Sequence, residues 1–163
     1  MRWSSIALTV AAALPALVLA AGQAGLLAGQ MPEDLGVVDG RLKAPSRTPN
    51  SVSSQFALWP GSAHRELAEV APLPLRGDGP ATLARLQRIV QAMPGGAVVT
   101  LRDDYLYARF TSRWLRFVDD TEFWVDPQAQ VVQVRSASRV GRRDFGVNRA
   151  RVEAIRAALA AAP

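Results

Sequence analysis

The stretch Val118–Arg139, VDDTEFWVDPQAQVVQVRSASR, decides the fold. Two runs alternate along it. In the first, Thr121, Phe123 and Val125 oppose Asp120, Glu122 and Trp124; in the second, Val132, Val134 and Ser136 oppose Gln133, Arg135 and Arg139. Alternation with period two is the mark of strands buried on one face. Pro127-Gln128 between them supplies the turn. A one-residue slip would set apolar side chains against charged ones, so burial selects the pairing. Placing Asp126 opposite Val131 satisfies both faces. It brings Glu122 opposite Arg135, with Asp120 diagonal to Arg135 and Arg139.

Working back from this pair, Tyr105–Arg113 alternates as well: Leu106, Ala108 and Phe110 face one way, Tyr105, Tyr107, Arg109 and Thr111 the other. Ala97–Arg102 precedes it across an Asp103-Asp104 turn. The sheet thus acquires an apolar face for helices and a second face of Arg, Asp, Glu and aromatic side chains, either solvated or a binding surface. Upstream, Leu83, Leu86, Ile89, Val90 and Met93 recur at helical spacing after Asp78-Gly79-Pro80, and Pro94-Gly95-Gly96 stops them. Glu69–Leu75 reads as a short strand confined to a sheet edge by Pro72 and Pro74.

Working forward, Arg135–Arg156 runs from strand through a Gly-punctuated turn into a helix, with arginine recurring throughout. Val152, Ile155 and Leu159 form the buried stripe of that helix. Asn148 is read as its N-cap, with Val147 packing on Val152 as a hydrophobic staple. Arg149 and Arg151 occupy the first turn, where the helix dipole disfavours cations. The expectation is that Asp119 or Asp144 neutralises one of them. The remaining arginines then converge on a small anion, giving a ligand site of Arg135, Arg139, Asn148, Arg149 and Arg151. A polar network of Asp119, Asp120, Glu122, Ser136, Ser138 and Asp144 would support it. The alternative is that Asp120 and Glu122 serve a hydrolase-like reaction as general acid and base. Asp119 and Asp120 point to opposite faces of a strand and so do not pair. The competing structural reading is an ion-pair lattice of these carboxylates with Arg135 and Arg139. Ser136 and Ser138 have no nearby base and read as hydroxyls bonding backbone. Gly141 and Gly146 do not make a phosphate loop.

Composition narrows the classes further. Cationic residues outnumber acidic ones 19 to 14, and all the cations but Lys43 are arginine. The chain has no cysteine and one histidine, His64, which excludes disulfides, thiolate chemistry and Cys-ligated zinc, and disfavours a Ser–His–Asp triad or a His-based metal site. No cofactor and no metal are expected.

The N-terminus differs from the rest. Arg2 precedes an apolar run, Ile6–Ala21, and a weaker one, Gly22–Ala28. The first has the length of a signal-peptide core, with small residues at Val18-Leu19-Ala20. Taken together, the two are long enough to span a bilayer. The uncleaved anchor is favoured because Gln23 is the only strongly polar break. Arg2 before the segment and Glu33 and Asp34 after it keep the N-terminus in the cytoplasm. The expected organisation is residues 1–29 as signal peptide or anchor, 30–67 as a loop-rich linker and N-terminal arm, and 68–163 as an α+β domain. Its sheet is four- or five-stranded and antiparallel, with two helices on one face, similar to TATA-binding-protein-like or helix-grip architectures. The expected location is the cell envelope, inner-membrane anchored with the domain in the periplasm, or exported after cleavage. Partners are a small anion or an envelope protein, and the membrane through the N-terminal segment. Tyr105, Tyr107 and Trp124 beside Arg109 suit base stacking, but export argues against nucleic acid.

RFVDDTEFWVD, VRSASRVGRRDFGVNRARVEAIR and, upstream, TPNSVSSQ resemble one family, the bacterial and plastid domain of unknown function numbered fourteen ninety-nine. The resemblance runs from about Leu42 to Ala158 and implies a frequent membrane anchor but no reaction. It also implies cysteines flanking the TPN motif, where this chain has Pro45-Ser46 and Ser51, and a glutamate where it has Arg109.

Overall fold

In the computed structural model, residues 2–161 are described, with side chains from residue 13 onward. Helix α1 (Arg2–Gln23) leads, then strand β1 (Ser51–Ser53), a 3-10 turn at Phe56–Leu58, helix α2 (Arg65–Ala68), strand β2 (Leu73–Pro74) and helix α3 (Gly79–Ala92). Strands β3 (Gly96–Leu101), β4 (Tyr105–Thr111), β5 (Val118–Asp126) and β6 (Val131–Ser138) follow, and helix α4 (Val147–Ala161) closes the chain. The class is α+β, and the sheet is antiparallel, as the alternation predicts. It has six strands rather than four or five, in the order β1-β6-β5-β4-β3, with β2 also on the outer edge of β6. The register is the predicted one: Asp126 pairs with Val131 and Glu122 with Arg135.

The helix-covered face holds the apolar core. Leu83, Leu86 and Val90 of α3 and Val152, Ile155 and Leu159 of α4 pack on Leu106, Phe110, Phe123, Val132 and Val134. Burying each large aliphatic side chain contributes roughly 1.5–3 kcal/mol. Asp78 caps α3 by accepting from the Ala81 amide at 2.7 Å, and Pro80 lies in the first turn as expected. Between α3 and β3, Gly95 has φ +74°, and a Cβ there would lie 2.1 Å from the Thr111 carbonyl oxygen. Only glycine makes that turn.

The other face corrects the sequence reading. Around Tyr105, Tyr107, Asp120, Glu122 and Trp124 it is buried, while Arg109 and its neighbour Ala97 at the β3 side stay exposed. Residues 35–59, expected as linker and surface loop, lie over it and supply β1. Leu42, with Leu35 and Val37 beside it, packs on Tyr105, Tyr107 and Trp124. Gln55 ties this arm to itself: its Oε1 accepts from the Leu42 amide at 2.8 Å, and its Nε2 donates to the Gly40 carbonyl at 2.8 Å. The arm is therefore a second covering layer.

Helix α1 stops at Gln23, short of the Ile6–Ala28 span, and the chain turns through Gly25 at φ +79°. Among the described residues, no helix is long and apolar enough to cross a membrane. The start of the apolar run has its side chains outside the described residues.

Candidate functional site

Adjacent residues Asp119 and Asp120 send their carboxylates to opposite faces, and each grips an arginine. Under the arm, Asp120 takes Arg139 bidentately, at 2.9 Å from Nε and 2.7 Å from Nη2, and also accepts the Tyr107 hydroxyl at 2.6 Å. Planar guanidinium geometry favours this arrangement. The bond to Asp120 raises the Arg139 pKa further. Burial first, then the bond to Asp120, pushes the Tyr107 phenol up to about 12.

Next along β5, Glu122 is fully buried. Its Oε1 accepts from the Gly36 amide at 2.7 Å and from the Tyr105 hydroxyl at 2.8 Å. Its Oε2 stands 3.6 Å from Arg135 Nη1, too far for a hydrogen bond, and neither atom has another protein partner. Arg135 Nε donates to the Ala44 carbonyl at 3.3 Å. Burial raises the Glu122 pKa, with the Gly36 amide and the Arg135 charge opposing it. Burial also lowers that of Arg135, which nonetheless stays protonated. This is the ion-pair lattice of the structural reading, closed over by the arm.

On the helix face a second polar cluster sits where β5 and β6 meet the start of α4. Asn148 is fully buried and is not the N-cap. Asp144 performs that task, accepting the Gly146 amide at 3.1 Å and the Asn148 amide at 2.9 Å. The Asn148 side chain accepts from Ser136 Oγ at 2.6 Å and from Arg151 at 2.8 Å. It donates to the Asn50 carbonyl, Ser138 Oγ and Asp144. Thr121 shares a hydrogen bond of 2.8 Å with Ser136. Arg151 reaches Asp119 at 2.6 Å and lies over the Phe110 ring, 4.5 Å from its centroid. Val147 is exposed, so the expected staple on Val152 does not form.

The five arginine-site residues therefore do not converge. Arg135 and Arg139 lie beneath the arm, and Arg151 and Asn148 lie on the helix face. Arg149 points away, donating to the carbonyls of Glu66 and Glu69 at 3.1 and 2.7 Å as a brace on α2. Arg151 is neutralised by Asp119, as one branch of the expectation had it. Asn50 was missed as a site residue. Its side chain donates to the Ser138 and Gly141 carbonyls, and its own carbonyl accepts the Ser138 amide, so it locks the β6–α4 loop. Its place in the TPN motif was the available signal. At the positions where the resemblance implies cysteine, Ser51 Oγ accepts the Ser46 amide at 2.8 Å.

What does converge is a cleft of about 800 Å³ between α4, the end of α3 and the β4–β5 and β6–α4 loops. Phe110, Phe117, Val140, Phe145 and Val147 make it apolar, Arg151 and Asp119 line it as a pair, and Arg143 also lines it. Among the described residues no cluster of His, Asp or Glu suits a metal ion.

Residues 41–159 match a family model described as Protein of unknown function (DUF1499). The chain belongs to that family. No curated protein and no solved structure matches it.

Proposed function

We propose that the protein is a non-enzymatic, envelope-associated module that binds a small amphiphile in the cleft beside α4. The ligand's apolar body fills the space lined by Phe110, Phe117, Val140 and Val147, and its acidic head meets Arg143. The observation that carries this is the cleft's composition: a largely apolar concavity of about 800 Å³ whose charged lining is Asp119, Arg143, Asp144 and Arg151. Such lining is the usual form of a small-molecule site. Arg143 makes no ion pair among the described residues and can take a carboxylate or phosphate. The envelope location rests on Arg2 and the apolar run Ile6–Ala21, with the domain anchored at the inner membrane facing the periplasm or released after cleavage.

A hydrolase-like role for Asp120 and Glu122 has less behind it. Asp120 is held by Arg139 and Tyr107, and Glu122 is sealed by Gly36 and Tyr105, so neither meets a substrate without the arm lifting. The cleft reading is tested by titrating the protein with dodecanoate and with dodecanol. Dodecanoate is expected to bind, to raise the melting temperature and to weaken several-fold in Arg143→Ala. Ala150→Trp, which fills the cleft, should abolish binding of both. Binding unchanged in Ala150→Trp would place the ligand elsewhere. For the location, a reporter fused after Pro163 should be active outside the cytoplasm, and activity confined to the cytoplasm would overturn it.

A further inference from the structure

One end of the domain carries aromatic and arginine side chains that the fold does not use. The loop joining β4 to β5 exposes Trp114 by 63% and Phe117 by 38%, and the loop joining β6 to α4 exposes Phe145 by 88%. Phe145 has φ +54° and Arg116 φ +57°. A bulky side chain is rarely held in that region. Arg113, Arg116 and Arg142 are exposed beside these aromatics and make no ion pair among the described residues. Arg113 lies over the Trp114 ring, 5.0 Å from its centroid. The two nearby carboxylates are already occupied: Asp119 holds Arg151, and Asp144 accepts the amides at the start of α4. The end is thus basic and aromatic together.

Helix α1 joins the domain at this same place. Gln23 Nε2 donates to the carbonyls of Arg113 and Trp114 at 3.2 and 2.7 Å. The approach is close enough that a Cβ on Gly22 would lie 2.7 Å from the Leu115 carbonyl oxygen. Along α1, Leu14, Leu17, Val18 and Leu19 are exposed.

We infer that this end of the domain, the loops 112–117 and 139–146 together with α1, docks on the surface of an anionic lipid bilayer. Tryptophan and phenylalanine suit the zone between headgroup and acyl chain, and arginine on the same patch suits anionic headgroups. A second copy of this chain fits poorly, because its own patch repeats the positive charge. Nucleic acid offers the charge but no apolar medium for the leucines of α1. The inference rests on the envelope location proposed above, and the surface adjoins the cleft, which Phe117 and Phe145 also line.

The test uses the full chain with phosphatidylcholine vesicles prepared with and without phosphatidylglycerol, read by co-sedimentation. Phosphatidylglycerol is expected to strengthen binding, and added salt to reverse that gain. The triple variant Arg113→Gln, Arg116→Gln, Arg142→Gln leaves Arg143 intact. It should lose at least about tenfold of the phosphatidylglycerol-dependent affinity while keeping its binding to phosphatidylcholine and to dodecanoate. Brominated acyl chains should quench the wild type more than Trp114→Phe. Binding that ignores phosphatidylglycerol, or is unchanged in the triple variant, overturns the inference and leaves α1 as the sole contact. Self-association without vesicles that is lost in Trp114→Ala would overturn it in favour of an interface between copies. Vesicle docking that survives loss of dodecanoate binding in Ala150→Trp separates this surface from the cleft.

Discussion

Glu122 and Phe123 are neighbours in β5, both fully buried, and they face opposite ways. Phe123 enters an apolar core made by two helices; Glu122 enters an ionic one made by the arm. The helix face is assembled from regular elements and is stabilised by area. The arm face is assembled from irregular chain and depends on named partners, so its contributions are pairwise and less forgiving. A charge taken out of water is costly unless paired, whereas a buried methylene has many equivalent neighbours. One sheet thereby carries two interiors with different rules.

The largest expected effect tests those rules directly. Glu122→Ala should destabilise the protein by about 3–5 kcal/mol, since it leaves Arg135 buried without its counter-charge. Phe123→Ala should cost a similar ~3–5 kcal/mol by leaving a cavity. The two separate in an Arg135→Ala background, where the Glu122 change should cost far less and the Phe123 change the same. Denaturant unfolding of the double-mutant cycles reads this. Additivity of Glu122 with Arg135 would erase the distinction between the faces.

A middle-sized effect concerns the polar cluster on the helix side. Asn148→Ala removes partners from Ser136, Ser138, Arg151 and the Asn50 carbonyl, and about 1–3 kcal/mol is expected. The same experiment on Arg149, whose bonds are to two carbonyls near the surface, should give about 1 kcal/mol. If Arg149→Ala proved the more damaging, the cluster would not be what fixes α4 to the sheet.

The smallest effect is a pH dependence. Burial raises the Glu122 pKa above its unfolded value, so the folded state binds the proton more tightly than the unfolded one. Its contribution is then fully present below the ordinary glutamate range and is lost as pH rises through the raised folded value. The stability difference between wild type and Glu122→Gln should shift against the wild type as pH climbs from about 4 towards neutrality. A flat difference, measured by urea unfolding across that window, would mean that Arg135 fully offsets the burial.

Much of the sheet was legible because its strands alternate and its turns are marked. The pairing of Glu122 with Arg135 followed from the pattern alone. Strand β1 was not legible: Ser-Val-Ser is three residues long, carries no apolar alternation and owes its place to β6. Nor was the covering role of the arm, whose Leu35, Val37 and Leu42 are spaced without period and meet only in three dimensions. Asn148 had the right residue type for a cap, but the helix starts earlier, with Asp144 accepting the Gly146 and Asn148 amides, and the Asn148 side chain turns inward. The convergence of five arginine-site residues failed because strand alternation sends Arg135 and Arg139 away from the face that α4 covers.

The arm also imposes an order in time. Gly36 and its partner Glu122 are 86 residues apart. At translation rates of 5–20 residues per second, the arm waits roughly 4–17 s for the strand it will cover. Until then Gly36, Leu42 and Ala44 have nothing to cover, and the long loop that must close opposes fast docking. The segment made early is thus held unpaired, and the ionic layer forms only once both β5 and β6 are present.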